Sequence, residues 1–417
     1  MIRYRLLLCL LALPISIFTL WLAFRDKELR YLTQRLGINS FKHFKKNNGD
    51  LVWIHAASVG EVNAAAPFIT ELSKNNSIVL TSNTVSSANR AKNIFGTTIH
   101  HFYCPIDWQW AVTRFISKIQ PNYLFIIETE LWPTLFSVCN NKKIPITIIN
   151  GRLSPKTLNA SQWIKKRYSE CLGITQAVLS RSNEDTQNFI SLGASSKIVK
   201  TIGNIKYYPN NNIDNVQPFS CDVSYILAAS TRNNEEKIIV SNWLEAQKKI
   251  TDRYLLIIAP RHPHRLPLIL EQLEEFNLNI AVRSRDDMIQ SNTDVYIADT
   301  FGELISFIKG ATFVLMGGSF VSKGGQNIIE VAHARKTVVF GKSMYNFKEE
   351  AKLFIQHQAG IQVNDNNLLA SEMISLLTEK NKIQIHQENA AKLMQQHQNI
   401  LNNYLAEIKS IYPDIKL

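Results

Sequence analysis

Short apolar runs, most of them rich in β-branched residues, recur along the chain and are separated by longer segments of mixed polarity. The runs cover residues 51–56, 78–82, 123–128, 144–150 and 177–180 in the first half, and residues 225–230, 254–260, 294–298, 312–317 and 337–341 in the second. This rhythm predicts strands that alternate with helices. Because the runs are nearly continuous in apolar character, they indicate parallel strands covered by helices on both faces. The predicted fold class is therefore α/β.

The rhythm stops once, in residues 208–222, where Pro209, Pro218 and three consecutive asparagines predict a linker. A chain of 417 residues is also longer than a single hydrophobic core usually supports. The sequence thus predicts two doubly wound domains, residues 31–207 and residues 223–417. The tail from Leu368 has apolar residues at helical spacing, which predicts a terminal helix packed on the body.

Residues 6–24 form an apolar run with basic residues on both sides, namely Arg3, Arg5, Arg25, Lys27 and Arg30. As a helix the run would be roughly 28 Å long, close to the hydrocarbon thickness of a bilayer. A cleaved signal peptide is the alternative, but the run does not end in a small-x-small cleavage site. We therefore predict a retained membrane anchor with a basic flank in residues 1–30.

The positive charge of the first 50 residues indicates that this end of the chain binds a membrane surface. The net charge is +12, and residues 1–50 supply half of it, with nine Lys or Arg against three acidic residues. A basic cluster beside an apolar segment favours anionic lipid headgroups over nucleic acid. Positive charge on both flanks of the run leaves its orientation open. The five cysteines show no C-x-x-C pair, so neither a zinc site nor a disulfide framework is predicted.

Ligands of open α/β sheets bind beyond the carboxyl ends of the strands, so the polar residues that follow the apolar runs are candidates for chemistry. The first run leads into His55-Ala56-Ala57-Ser58-Val59-Gly60-Glu61, where small residues allow a close turn and a carboxylate arrives as a helix starts. Glu61 is a candidate general base. The structural alternative is a first-turn glutamate that interacts with the helix dipole.

Two carboxylates follow the third run, in Glu128-Thr129-Glu130-Leu131-Trp132-Pro133. In a water-poor cleft one of them would have a raised pKa or a cationic partner, as catalytic sites often arrange; alternatively both face solvent. Later runs lead to Arg152 and Lys206. Each of these cations could hold a phosphate or a carboxylate, or could simply be a solvated surface residue.

The second half contains a basic loop, a glycine-rich loop and an acidic turn. Pro260-Arg261-His262-Pro263-His264-Arg265 predicts an anion clamp, with solvated loop charge as the alternative. Residues 317–330 supply glycines before a helix, without the G-x-G-x-x-G spacing, and predict a site for a nucleotide or sugar phosphate. Asp299-Thr300-Phe301-Gly302-Glu303 fits either helix capping or ligand contact. The chain has no D-x-D triplet, so a metal-bridged diphosphate is not indicated.

Taken together and in this order, these segments closely resemble the Kdo (3-deoxy-D-manno-octulosonic acid) transferases of lipopolysaccharide synthesis. The resemblance implies a GT-B glycosyltransferase made of two Rossmann-like domains. It also implies CMP-Kdo as the donor, a lipid A precursor such as lipid IVA as the acceptor, and no metal or other cofactor. Since cytidine nucleotides are made in the cytosol, the expected location is the inner membrane, with a single-pass anchor and cytoplasmic catalytic domains.

The same resemblance assigns roles to individual residues. It implies that Glu61 is the general base of an inverting transfer and that Glu128 and Lys206 stabilise the transition state. Further substrate contacts are expected from Ser58, Gly60, Glu130 and Arg152. The nucleotide would be held by Pro260, Arg261, Phe301, Gly302, Glu303, Gly324, Gly325, Asn327, Ile328, Ile329 and Glu330.

Two other functions remain open at this level. A GT-B transferase with a different nucleotide-sugar donor, such as a UDP-sugar of cell-wall synthesis, would share the fold. A membrane-tethered nucleotide-binding protein without turnover would keep the glycine-rich loop but would not need Glu61.

Overall fold

A computed structural model describes Tyr4, Leu8 and residues 10–38, 49–208 and 212–417, with the side chains of Asn212, Asp214 and Lys380 excepted. The chain divides into two units. The first comprises Met1–Tyr208 together with Asn399–Leu417, and the second comprises Pro209–Gln398. Each unit contains one seven-stranded sheet.

The sheet of the first unit has the strand order β3-β2-β1-β4-β5-β6-β7, and all of its neighbouring strands are parallel. Its strands are β1 (Leu51–His55), β2 (Ser77–Ser82), β3 (His100–Tyr103), β4 (Tyr123–Ile127), β5 (Ile146–Gly151), β6 (Ala177–Ser180) and β7 (Val199–Thr201). The central strand β1 is buried along its whole length. Its side chains alternate between two apolar clusters, with Val52 and Ile54 in one and Leu51 and Trp53 in the other. The sheet is therefore covered on both faces.

Helices cover both faces of this sheet. They span Ala12–Arg25, Leu29–Arg35, Val59–Leu72, Val85–Phe95, Gln109–Ile119, Pro133–Asn141, Pro155–Leu158, Gln162–Leu172 and Asn183–Ser191, and the C-terminal helix Ile400–Ile411 joins them. A short 3-10 turn, Ile205–Tyr207, ends the unit before the chain passes into the second one.

The sheet of the second unit has the order β10-β11-β9-β8-β12-β13-β14 and is also parallel throughout. Its strands are β8 (Tyr225–Thr231), β9 (Leu255–Pro260), β10 (Ile280–Val282), β11 (Val295–Ile297), β12 (Val314–Met316), β13 (Val338–Gly341) and β14 (Ile361–Val363). Its α-helices span Asn212–Asn215, Glu235–Gln247, Leu266–Leu273, Leu304–Gly310, Ile329–His333, Lys348–Gln356, Leu369–Thr378 and Lys380–Gln396. Five 3-10 turns complete the unit: Pro263–Arg265, Glu274–Phe276, Arg283–Arg285, Tyr345–Phe347 and Asn366–Leu368.

The predicted α/β class with two parallel-sheet domains is confirmed, and each predicted run overlaps a strand. The assignment of the last helix is corrected. Sequence reasoning placed everything from residue 223 onward in one domain, whereas Ile400–Ile411 packs into the core of the first unit through Ile400, Leu401, Tyr404 and Ile408. Helical periodicity identifies the apolar face of a helix but not the surface that the face covers.

The predicted membrane anchor is not supported. Part of the apolar run in residues 6–24 lies outside the described residues, and the described helix there is Ala12–Arg25, which has 14 residues. Within the part of the chain that the structure describes, no helix combines the length and the apolar character needed to cross a bilayer.

Candidate active site

The strand order of the first unit fixes where its chemistry is located. The chain moves from β1 to β2 and β3 on one side of the sheet and returns to β4 on the other side of β1. The loops after β1 and β4 therefore diverge at a topological switch point, the usual ligand position in open α/β sheets. Glu61 follows β1 and Glu128 follows β4 directly, so both predicted carboxylates belong to this point.

Glu61 lies in the first turn of the helix Val59–Leu72, which Ser58 caps. The backbone N–H of Ala57 and the hydroxyl of Ser58 both donate to its carboxylate at 2.8 Å. The backbone N–H of Glu61 in turn donates to the Ser58 hydroxyl at 3.3 Å, so Glu61 has a structural role at the start of the helix, as considered from the sequence. A capping glutamate normally has a lowered pKa because the helix N-terminus favours its charge. Burial and the nearby charge of Glu128 instead raise the pKa of Glu61 to about 7.

Glu128 is the second carboxylate at this point, and it is paired with two cations. Its side chain is 7% exposed, one oxygen lies 2.7 Å from Lys206 Nζ and the other lies 2.6 Å from Arg152 Nε. Burial alone would raise the pKa of Glu128, but Lys206 and Arg152 hold it below its usual value. Neighbouring carboxylates whose pKa values are driven apart in this way are typical of acid and base assignments in enzymes.

The backbone around this cluster adopts conformations that side chains rarely favour. Glu128 has φ +59° and Asn150 has φ +56°, both in the left-handed region. The Asn150 side chain accepts a hydrogen bond from the backbone N–H of Ile205 at 3.1 Å. The loop that carries Arg152 is thereby attached to the turn that carries Lys206, and both cations reach Glu128.

Glu130 has contacts of its own within the protein. Its carboxylate accepts a hydrogen bond from Trp132 Nε1 at 2.6 Å, and the Nε2 atom of the fully buried His55 lies 3.7 Å from it. Burial would raise the pKa of Glu130, but His55 and Trp132 hold it below the ordinary value. Its predicted substrate contact stays a prediction, as do those of Ser58 and Gly60 in the first helical turn.

The second unit has its switch point between β8 and β12, which are neighbours in the sheet but not in sequence. Arg232 follows β8, and the glycine-rich loop follows β12. Pro260 ends the adjacent strand β9. Arg261 donates its backbone N–H to the carbonyl of Thr231 at 3.0 Å, and the residue is exposed. Two arginines therefore extend from the carboxyl ends of neighbouring strands.

A buried carboxylate joins the loops on the two sides of this switch point. Glu235 is fully buried and accepts hydrogen bonds from the backbone N–H groups of Arg232 at 2.7 Å and Phe320 at 2.9 Å, and from that of Gly318 at 2.6 Å. Burial raises its pKa, although these three donors act in the opposite direction. Such an anchor keeps the loop after β8 and the glycine-rich loop in one arrangement.

The predicted nucleotide-binding residues after β11 differ in exposure. Phe301 is 83% exposed, and Gly302 has φ +90° with open space around it. Glu303 is paired with Arg283, whose Nη2 donates to it at 2.8 Å, and it also accepts a hydrogen bond from Thr300. The ion pair and this hydrogen bond lower the pKa of Glu303.

The glycine-rich loop depends on backbone conformations and close approaches that glycine permits. Gly324 and Gly325 have φ values of +84° and +75°, and a Cβ on either would lie 2.3 Å or less from a side chain of the loop after β13. Asn327 donates from its side chain to Glu330 at 3.1 Å. The following helix, Ile329–His333, has only five residues, and the side chains of Ile328 and Ile329 are buried in the core. Any ligand contact by these two residues would have to use their backbone.

Three side chains at these strand ends were given no role of their own from the sequence. His55 and Arg232 end or follow apolar runs, and Glu235 opens the next helix. A polar segment directly follows the predicted buried strand, in Ser230-Thr231-Arg232-Asn233-Asn234-Glu235-Glu236. The other candidates were selected because polar residues that follow strands tend to bind ligands, and the same rule would have selected this segment.

Two parallel-sheet α/β units with polar residues gathered at their switch points define the class as a two-domain α/β protein that binds its ligands at strand ends. A family model described as 3-deoxy-D-manno-octulosonic-acid transferase (kdotransferase) matches residues 30–208. The 3-deoxy-D-manno-octulosonic acid transferase of Rickettsia felis is 32% identical over 86% of this chain and 78% of its own length. That of Rickettsia bellii is 31% identical over 99% of this chain and 100% of its own. The chain therefore belongs to the Kdo transferase family and is a glycosyltransferase.

Solved structures support the fold at low sequence identity. A UDP-N-acetylglucosamine 2-epimerase described as putative, from Listeria monocytogenes, matches with a TM-score of 0.62 at 12% identity, covering 88% of this chain and 98% of its own. The UDP-GlcNAc 2-epimerase of Neisseria meningitidis matches with a TM-score of 0.59 at 13% identity, covering 86% of this chain and 100% of its own. At these identities the likeness concerns the two-domain fold alone.

The raised pKa of Glu61 predicts a measurable effect on stability. The pKa of Glu61 is about 7 in the folded protein against an ordinary value of 4.5, so Glu61 ionises at a lower pH in the unfolded chain than in the folded one. The protonated Glu61 contributes its full stabilisation below the pKa of the unfolded chain. As the pH rises from that value to the pKa of the folded protein, the free energy of unfolding falls by about 3 kcal/mol. Glu61→Gln has no such loss, so its stability relative to wild type should increase across this window in urea unfolding.

The matched control is Glu71→Gln, on the same helix, where Glu71 forms a surface pair with Lys74. Its stability relative to wild type should change little over the same pH range. Parallel pH profiles for wild type and Glu61→Gln would contradict the raised pKa.

Proposed function

We propose that this protein transfers Kdo from CMP-Kdo to a lipid A precursor such as lipid IVA, with inversion at the anomeric carbon. Membership of the Kdo transferase family supports Kdo as the transferred sugar. The relatives are named as transferases of this sugar, which supports glycosyl transfer as the reaction class. The observation that carries the mechanism is a pair of carboxylates at one switch point, the buried Glu128 and the partly buried Glu61, of which Glu128 is the one paired with cations among the described residues.

Glu61 is the general base of the proposed reaction. A base works best when its pKa lies near the working pH, and the pKa of Glu61 is raised to about 7. It takes the proton of an acceptor hydroxyl while the oxygen forms a bond to the anomeric carbon and the bond to CMP breaks. The electron pair of that bond leaves with the CMP phosphate.

Lys206 and Arg152 supply positive charge beside this base. Together with Glu128 they form a group with one net positive charge if all three are ionised. Glu128 fixes the position of both cations, and fixed charges stabilise developing charge without reorganisation at the moment of reaction. In the proposed mechanism Lys206 offsets negative charge on the Kdo carboxylate or the leaving phosphate.

The second unit binds the donor in this proposal. Arg261 and Arg232, at neighbouring strand ends, hold its phosphate, since an arginine side chain can bind a phosphate through two parallel hydrogen bonds. The glycine-rich loop and residues 301–303 contribute backbone and side-chain contacts to the nucleotide. Since a donor with one phosphate needs few countercharges, we propose that the reaction proceeds without a metal ion.

Both alternatives remain testable. A UDP-sugar transferase would share the fold but would use a donor with two phosphates. A nucleotide-binding protein without turnover has no use for a carboxylate whose pKa is raised by burial, so the environment of Glu61 favours an enzyme.

The decisive reaction uses purified protein, CMP-Kdo and lipid IVA, with mass spectrometry of the lipid product. We expect Kdo to be added to the lipid, and UDP-sugars neither to be used nor to compete. Glu61→Gln should lower kcat by at least about 100-fold, the lower range of general base catalysis, while CMP binding by calorimetry persists. The control Glu71→Gln should keep wild-type turnover. Near-normal turnover by Glu61→Gln, or a lipid without Kdo, would refute the proposal.

We also infer that the helix Ala12–Arg25 docks the protein on a membrane surface. Large apolar side chains are exposed along it, including Leu13, Ile17, Phe18, Trp21 and Phe24, whereas its buried residues are Thr19 and Ala23. Basic residues follow, and the guanidinium of Arg25 lies 4.8 Å from the centre of the Trp21 ring. Exposed aromatic and aliphatic side chains with basic neighbours are typical of helices that lie in the interface of anionic bilayers.

The position of this helix supports a link to the reaction. Ala23 packs in a small apolar cluster with Tyr31, Ala88 and Tyr103, and the Tyr31 hydroxyl donates to the carbonyl of Asn83 at 3.3 Å. Tyr103 and Asn83 lie at the carboxyl ends of β3 and β2. The helix therefore lies at the edge of the sheet that carries Glu61, where a lipid acceptor would arrive from a docked membrane.

Vesicle flotation tests this docking. Wild-type protein should float with vesicles of phosphatidylglycerol and phosphatidylethanolamine, and Phe18→Asp with Trp21→Asp should weaken binding by roughly 100-fold, since each buried aromatic contributes about 1.5–3 kcal/mol. Ile385→Asp, at an exposed apolar residue of the second unit, is the control and should bind as wild type. Equal binding of all three proteins would contradict the inference.

A further inference from the structure

The C-terminal helix Ile400–Ile411 follows the second unit in sequence but is part of the core of the first. Four of its side chains, Ile400, Leu401, Tyr404 and Ile408, are buried in the cluster that also contains Ile205. Ile205 immediately precedes Lys206. The helix therefore packs behind the turn that carries a proposed transition-state residue.

Tyr404 makes a specific contact with this turn. Its side chain is fully buried, and its hydroxyl donates to the carbonyl of Gly203 at 2.8 Å. Gly203 has φ +114°, and a Cβ at this position would lie 2.8 Å from Cδ1 of Ile400. The turn and the helix are thus in direct contact, with one hydrogen bond that fixes the orientation of the Gly203 peptide.

Further hydrogen bonds fix the backbone between Gly203 and Lys206. The backbone N–H of Ile205 donates to the Asn150 side chain at 3.1 Å, and that of Lys206 donates to the Asn204 side chain at 3.1 Å. The Lys206 ammonium then donates to Glu128 at 2.7 Å. A lysine side chain has four flexible bonds, so the position of its backbone decides where the charge can be held.

We propose that Tyr404 is a positioning residue for Lys206 and that the C-terminal helix completes the catalytic part of the first unit. The inference rests on the proposed role of Lys206. Without the Tyr404 hydroxyl, the partly buried Gly203 carbonyl loses this hydrogen-bond partner, and the turn can shift to satisfy it. Small displacements of a group that acts on the transition state reduce the rate strongly.

The same segment offers a matched control. Tyr412 directly follows the C-terminal helix and is also buried, and its hydroxyl lies 2.7 Å from that of Thr147 in the middle of β5. Tyr412→Phe removes the same atom as Tyr404→Phe from the same part of the core. It has no contact with the turn from Gly203 to Lys206 among the hydrogen bonds of the described residues.

The experiment compares kcat, both KM values and the melting temperature of the full-length variants. Tyr404→Phe should lower kcat roughly tenfold with both KM values within about twofold, while Tyr412→Phe should keep kcat and show a similar loss of melting temperature. In the Lys206→Ala background, Tyr404→Phe should cause no further loss of kcat, because the group that it positions is gone.

Equal kcat for Tyr404→Phe and Tyr412→Phe would overturn the inference, and so would a kcat loss that persists in the Lys206→Ala background. If Lys206→Ala itself turned over at the wild-type rate, the proposed role of Lys206 would fail, and this inference would fail with it. A reduced kcat for Lys206→Ala with normal kcat for Tyr404→Phe would overturn the positioning role alone.

Discussion

The electrostatic contrast between the buried carboxylate of Glu128 and the partly buried carboxylate of Glu61 organises the first unit. Glu128 has a cation on each oxygen, whereas the hydrogen-bond donors to Glu61 in the described part of the chain are one backbone N–H and one hydroxyl. Glu128 therefore stays ionised and, together with burial, disfavours the charge of Glu61. Three features near the switch point accompany this contrast. They are the left-handed backbone of Glu128 and Asn150, the turn that carries Lys206 and the C-terminal helix that packs behind this turn. In the second unit one carboxylate also connects separate loops, because Glu235 accepts hydrogen bonds from three backbone N–H groups.

Much of this arrangement could be predicted because parallel sheets follow simple rules. Buried strands such as β1 and β8 are continuously apolar, so their positions and the residues after them are visible in the sequence. The pairing of Glu128 with a cation was considered from the sequence, and the structure identifies Lys206 and Arg152 as its partners. Because carboxyl ends of parallel strands share one edge of a sheet, strand order alone brings Glu61 and Glu128 to the same point.

What could not be predicted depends on contacts between distant segments. The strands β3, β7, β10 and β14 were missed; they have three or four residues each and lie at or next to the ends of their sheets, where less apolar character is needed. His100 and His101 in β3 and Lys200 in β7 hide the pattern. The C-terminal helix was assigned to the wrong unit because its apolar face does not encode its partner. The apolar run near the N-terminus predicted a membrane span, whereas its described part is a 14-residue helix with an exposed apolar face.

The pH dependence of kcat/KM for the acceptor, measured with saturating CMP-Kdo, tests the central claim most directly. If Glu61 must be ionised to act as the base, the rate should rise about tenfold per pH unit and level off above a midpoint near the pKa of about 7 that burial and Glu128 impose. A rate that stays constant across this range, or a midpoint at the ordinary pKa of a surface glutamate, would contradict the account.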